Sequence, residues 1–221
     1  MKNINSKIIL ALDVDSLKKA EYFLNKLYPD IKIFKIGSHL FTAIGPKIVE
    51  VVRKKGGEVF LDLKFFDIPN TVANAVRSAV RLKVKMLTLH IQGGEEMLKA
   101  AVKAAEDESC KTGLRRPLLI GVTVLTSQKS SPIRVLKLAK LGLQCGLDGI
   151  VCSPKETAYL RSKIKSDFVI VTPGIRPKSA KSDDQKRTAT AEAAIKAGSS
   201  FLVIGRPILE AKDPLRAIES L

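Results

Sequence analysis

The sequence predicts an α/β fold, a single-domain (β/α)8 TIM barrel occupying residues 1–221. Three observations carry that reading. Eight short apolar runs, most of them rich in Val, Ile and Leu, recur from end to end, as strands buried on both faces should. A stretch with helical periodicity follows each of them. The runs begin roughly twenty to thirty residues apart, the pitch of a βα unit. No linker or shift in composition divides the chain.

The elements follow in order. KIILALD at 7–13 leads into SLKKAEYFLNKLY at 16–28, whose first Ser is a cap candidate and whose apolar residues recur every three or four positions. IKIFKIG at 31–37 precedes GPKIVEVVRKKG at 45–56, and EVFLDLK at 58–64 precedes TVANAVRSAVRL at 71–82. KMLTLH at 85–90 is followed by GEEMLKAAVKAAED at 94–107, and PLLIGVTVLT at 117–126 by SPIRVLKLAKLGLQCG at 131–146. DGIVCS at 148–153 pairs with KETAYLRSKI at 155–164, FVIVTPG at 168–174 with ATAEAAIKAG at 189–198, and SFLVIGR at 200–206 with DPLRAIESL at 213–221. Glycine follows several helical stretches, as a helix stop should. An open doubly wound sheet is the competing fold. It expects a Gly-rich phosphate turn after the first strand, and ALDVDS at 11–16 contains no glycine.

Composition narrows the class. Of 221 residues, 45% are hydrophobic and 27% charged, an ordinary globular balance. No apolar run approaches the roughly 20 residues of a membrane-spanning helix. The apolar run of MKNINSKIILALDVDS stops at Asp13 with no small-residue cleavage site after it, which reads as a first strand and not as a signal peptide. Three cysteines without CxxC spacing argue against a disulfide framework or a structural zinc, and for a reducing cytoplasm. The net charge of +16 points to an anionic partner. The basic clusters Arg53-Lys54-Lys55 and Arg81, Lys83, Lys85 fall between elements, aromatic residues are only 5%, and no nucleic-acid-binding motif appears. Neither nucleic acid nor membrane is therefore expected as a partner, and one phosphate ligand leaves most of that charge unexplained.

A barrel keeps its chemistry at the C-terminal ends of its strands. Asp13, Lys35, Asp62, Lys64, His90, Thr126, Ser153 and Arg206 all fall there. The densest cluster is FLDLKFFDIPNTV at 60–72, with Asp62, Lys64 and Asp67 in apolar surroundings. In a regular strand Asp62 and Lys64 share one face, with Lys35 and Asp13 as near neighbours. Buried charges are costly unless paired, so the plain alternative is a salt-bridge network closing the barrel top. A second lysine, Lys35, favours chemistry. Carboxylates around Lys64 keep it protonated, which disfavours an imine-forming role and makes it a general acid and a cation beside developing negative charge. The same lysines disfavour a metal at Asp62, Asp67 and His90, and no cofactor motif is present. His90 and His39 read as packed and loop residues without an assigned role. Arg176 and Arg206 follow the seventh and eighth strands, where these barrels bind phosphate, and the arginine fork suits that ligand. The long polar segment between Ile175 and Thr188 is either a plain surface loop or a lid that excludes water.

DLKFFDIPNTV at 62–72 resembles the signature of the orotidine 5′-phosphate decarboxylase family. LDVD at 12–15, KIG at 35–37, VTVLTS at 122–127, TPGIRP at 172–177, DDQKR at 183–187 and VIGRP at 203–207 resemble its other landmarks in the same order, over essentially the whole chain. The shorter DxKxxD pattern also occurs in sister barrels acting on sugar phosphates, from which the DIPNT continuation and the later landmarks separate this chain. The resemblance implies a cofactor-free, homodimeric enzyme that converts orotidine 5′-monophosphate to UMP in the last step of pyrimidine synthesis. It implies that Lys64 protonates carbon six of the pyrimidine and that Asp62 faces the substrate carboxylate. Lys35 and Asp13 would bind ribose hydroxyls, and Asp67 and Thr71 would come from the partner subunit. Thr126 would bond the pyrimidine ring, Gln185 the base and phosphate, and Arg176, Arg206 and the Gly205 backbone the phosphate. Two rivals remain at this stage: a metal-dependent sugar-phosphate lyase, and a basic nucleic-acid-binding protein built on a barrel.

Overall fold

The computed structural model describes residues 4–125, 127–177 and 188–221. Eight parallel strands form a closed barrel in chain order. They are β1 (Ile8–Ala11), β2 (Ile33–Gly37), β3 (Glu58–Phe65), β4 (Met86–His90), β5 (Leu118–Val122), β6 (Gly149–Val151), β7 (Val169–Thr172) and β8 (Phe201–Ile204). Closure is direct, because β8 pairs with β1 through Leu202 and Ile8. The (β/α)8 fold expected from the alternating runs is the fold observed.

The helices are α1 (Leu17–Leu27), α2 (Ser38–Ile44), α3 (Lys47–Lys54), α4 (Pro69–Arg81), α5 (Gly94–Thr112), α6 (Pro132–Gln144), α7 (Pro154–Lys163), α8 (Ala191–Lys196), α9 (Arg206–Leu209) and α10 (Pro214–Glu219). Local chemistry sets several of their starts. The Ser131 hydroxyl accepts the Arg134 amide at 3.2 Å, and Pro132 occupies the first turn of α6, where its missing N–H costs nothing. Thr190 caps α8 and Asp213 caps α10 in the same way. Ser16 stands at the N-cap position of α1 but makes no side-chain cap bond, contrary to its reading as a cap. Helix α2 is an element the periodicity did not show. It buries only Leu40, so it leaves almost no apolar stripe to detect.

The strands are shorter than the apolar runs, mainly at their C-terminal ends. The run at 117–126 stays in the ladder only to Val122, and that at 168–174 only to Thr172. Past the ladder of β5 and β7, Val124, Leu125 and Pro173 line the pocket at the barrel mouth, so they are apolar for a different reason.

Packing forms two layers. The larger lies between barrel and helices, where α1, α3, α4 and α5 lay their apolar stripes on the outer face of the strands. The smaller lies inside the barrel and consists of Ile9, Ile33, Phe60, Met86, Ile120 and Val171. Strand β3 breaks the regular pattern. Leu61 pairs with Leu87, but the next pairing joins Phe65 to Leu89, so β3 carries two extra residues against β4. Within this bulge Lys64 takes φ 51°, in the left-handed region that a residue with a Cβ rarely adopts. Among the described residues no helix is long and apolar enough to cross a membrane.

Candidate active site

Strand alternation sets a second layer, which carries charge, directly on the apolar one. Two residues beyond Ile9, Ile33, Phe60 and Ile120 stand Ala11, Lys35, Asp62 and Val122, and all four line a pocket at the C-terminal mouth of the barrel. Four charges meet there with alternating sign. Lys64 Nζ lies 2.9 Å from Asp62 Oδ2, and Lys35 Nζ lies 3.6 Å from the same oxygen and 3.1 Å from Asp13 Oδ1. Lys35 and Asp62 are deeply buried, whereas the Asp13 side chain is 56% exposed at the edge of the array.

The carboxylate of Asp62 is the hub. Burial alone would raise its pKa, but the Lys35 and Lys64 ammoniums outweigh that penalty, with hydrogen bonds from Lys64 and Thr88 in support. The net direction is down from 3.8, so Asp62 is a carboxylate across the neutral range. The stability this arrangement contributes is present above that value and is lost as pH falls through the lowered one. Gly37 leaves room for the array, because a Cβ there would stand 3.1 Å from Lys35 Nζ and 3.5 Å from Asp13 Oδ1.

The same mouth also holds two arginines. Arg176, Gly205 and Arg206 line the same pocket, and helix α9 starts at Arg206 directly after β8. Arg176 Nη1 donates to the Ile175 carbonyl at 3.0 Å, and the Arg176 amide donates to Ala189 O at 3.0 Å. The rest of the wall is apolar, with Val124, Leu125, Val151 and Val203 among its members.

Seven expected site residues therefore converge: Asp13, Lys35, Asp62, Lys64, Arg176, Gly205 and Arg206. Asp67 and Thr71 do not line the pocket of their own chain. Both are exposed, and the Asp67 carboxylate accepts the amide of Ile68 at 2.6 Å. Thr126, Gln185 and, of the lid expected between Ile175 and Thr188, residues 178–187 lie outside the described residues. His90 packs against Phe66 with ring centroids 5.5 Å apart, away from the pocket lining. Burial lowers its pKa and the Lys64 charge adds to this, against an opposing pull from Asp62. Ser153 follows the C-terminal end of β6 as expected, but it is buried at the start of α7 and does not line the pocket; its amide donates to Glu156 Oε2 at 2.9 Å. Among the described residues no three His, Cys, Asp or Glu side chains gather to hold a metal ion.

Two features were missed from sequence. The valines of the pocket wall were visible only as strand formers, since their inward direction depends on register. Thr88 was passed over as an ordinary β-branched strand residue. It is fully buried, accepts the Lys64 amide at 2.9 Å and donates to Asp62 Oδ1 at 2.9 Å.

Comparison with known proteins agrees with this geometry. Residues 6–221 match the family model described as "Orotidine 5'-phosphate decarboxylase / HUMPS family". The chain is 48% identical to an orotidine 5′-phosphate decarboxylase of Trichlorobacter lovleyi, across 97% of this chain and 92% of that protein. It is 44% identical to one from Coxiella burnetii, across 100% and 97% of the two chains. Its fold is similar to the crystal structure of the Lactobacillus acidophilus orotidine 5′-phosphate decarboxylase, with a TM-score of 0.84 and 36% identity over 97% of this chain and 96% of that one.

Proposed function

The chain belongs to the orotidine 5′-phosphate decarboxylase / HUMPS family, and on that premise we propose that it converts orotidine 5′-monophosphate to UMP and carbon dioxide without a cofactor. The observation that carries this is the Lys64 ammonium held 2.9 Å from a buried carboxylate in a pocket that Arg176 and Arg206 also line. With the nucleotide phosphate at Arg176, Arg206 and the Gly205 backbone, the pyrimidine lies over the charge array. Its carboxylate then faces Asp62 and its carbon six faces Lys64. The bond from carbon six to the carboxylate breaks, carbon dioxide leaves, and the electron pair stays on carbon six. Lys64 delivers a proton to that pair and later regains one from water.

Each group acts through ordinary electrostatics. A fixed ammonium beside a developing carbanion stabilises the transition state more than the ground state, because the negative charge on carbon six is new. The valine wall lowers the local dielectric and strengthens that interaction. Asp62 keeps two lysines in one small space by balancing them. Lys35 and Asp13 present an ammonium and a carboxylate to ribose hydroxyls. Contacts to the phosphate, remote from the reacting carbon, hold the ring in place for the reaction. Thr126 and Gln185 are assigned to the pyrimidine and the phosphate on family resemblance.

The active unit in this reading is a homodimer in which Asp67 and Thr71 complete the partner's site. Asp67 lies outside its own pocket, between Phe66 and Ile68, which are 60% and 67% exposed; adjacent apolar side chains at that exposure suit a protein interface. A mixing experiment checks it. Lys64→Ala and Asp67→Ala proteins, each inactive alone, are expected to regain activity after subunit exchange, with about one quarter of sites native at equal mixing. No recovery after verified exchange removes Asp67 from the shared site. The three free cysteines support a reducing cytoplasm as the place of work.

The experiment that tests the reaction follows the ultraviolet absorbance of orotidine 5′-monophosphate with purified protein, with and without EDTA. Rapid conversion to UMP that ignores EDTA is expected. Conversion that EDTA abolishes overturns the cofactor-free mechanism, and no conversion by folded protein overturns the proposal and points to the sugar-phosphate lyases.

A further inference from the structure

Thr88 stands where the barrel ladder is interrupted. The bulge in β3 runs from Leu61 to Phe65, and Leu87 and Leu89 are its flanking partners on β4. Thr88 is the single β4 residue between them, so it alone faces the bulge that contains Asp62 and Lys64. It has 0% exposure, between Leu87 and Leu89 of the strand MLTLH. A hydroxyl at this place has one donor and two acceptor lone pairs, and the geometry uses it in both directions. It accepts the backbone N–H of Lys64 at 2.9 Å, a donor the bulge removes from the regular ladder. It donates to Oδ1 of Asp62 at 2.9 Å. The other Asp62 oxygen, Oδ2, is left to the two lysines, with Lys64 Nζ at 2.9 Å.

We propose that Thr88 is the positioning residue of the active site: its one hydroxyl closes a ring that ties Lys64 to Asp62 at both backbone and ammonium, and so holds the proton donor in its strained place. The proposal rests on the decarboxylase reading of the same pocket. Its physical basis is the left-handed backbone of Lys64, at φ 51°, which persists only where its surroundings impose it. Without the hydroxyl, the Lys64 amide and one oxygen of Asp62 are left in the interior with no partner from β4. The bulge then relaxes and the ammonium moves relative to carbon six. A displacement of about 1 Å is enough to cost about 10²-fold in rate.

Thr88→Val keeps the branched shape and removes the hydroxyl. It is expected to lower kcat about 10²-fold while KM stays within about 3-fold, because the phosphate grip lies on other strands. Thr88→Ser restores the hydroxyl and is expected to return kcat to within about 3-fold of the parent. A merely structural role lowers the melting temperature of both variants and does not separate kcat from KM. Wild-type kcat in Thr88→Val, or equal losses in the Val and Ser variants, overturns the proposal. If Thr88→Val does not fold, Thr88→Cys replaces it, since a thiol is a weaker donor and acceptor; a reduced kcat supports the role and an unchanged one overturns it. A second readout is independent of turnover. Carbon-13 titration of the Asp62 carboxyl is expected to show a higher pKa in Thr88→Val, or in its Cys substitute, than in the parent. If the parent protein fails to decarboxylate orotidine 5′-monophosphate, the function reading falls, and this titration still decides whether Thr88 holds Asp62, an unchanged value overturning it.

Discussion

Lys64→Ala is expected to cut turnover of orotidine 5′-monophosphate by at least about 10⁴-fold while the barrel stays folded. The size follows from two losses at one atom. General acid catalysis contributes about 10²–10⁴-fold, and a preorganised charge beside the developing anion about 10²–10³-fold more. The fold survives because the Lys64 side chain is 37% exposed and Asp62 keeps Lys35 as a counter-ion at 3.6 Å. Absorbance decay measures the rate and a thermal melt measures the fold. Retained activity removes Lys64 as the acid. Lost activity together with a collapsed melt makes it structural.

Arg206→Ala is expected to weaken the binding of UMP by about 10²-fold and that of uridine hardly at all. A charge-assisted hydrogen bond to phosphate is worth about 1.5–3 kcal/mol, and each 1.4 kcal/mol is tenfold in affinity. Arg206 follows β8, whereas the lysines stand on β2 and β3, so its loss leaves their ion pairs with Asp62 in place. Calorimetric titration of the two ligands separates the outcomes. Equal losses for nucleotide and nucleoside take Arg206 out of the phosphate site.

The sequence made much of this legible because of burial physics. A parallel strand covered on both faces has no reason to be polar, so its runs stand out. Charges inside such runs stand out for the same reason, which is how Asp62, Lys64 and Lys35 were found. What stayed hidden depends on register. The regular pleat expected Asp62 and Lys64 on one face of an ordinary strand. The structure joins them across a bulge, through the reach of a long side chain and a left-handed backbone. Nothing in FLDLKFF announces a bulge, and a threonine is as good a strand former as valine. Val124, Leu125 and Pro173 misled in the opposite direction. They extend the apolar runs past the last ladder pair because they line a pocket. The cross-subunit role proposed for Asp67 and Thr71 comes only from resemblance, since a single chain gives no sign of what an exposed residue meets.

The interior cluster of Ile9, Ile33, Phe60, Met86, Ile120 and Val171, none more than 4% exposed, has a consequence for traffic. It makes the barrel a well with a sealed bottom. Whatever is released beside Asp62 leaves by the opening through which the nucleotide came. In the proposed reaction carbon dioxide and UMP therefore leave by one door, which Arg176 and Arg206 line. The same seal governs refuelling. In the proposed reaction this apolar axis leaves Lys64 to take up its next proton from the mouth, once the product has cleared it.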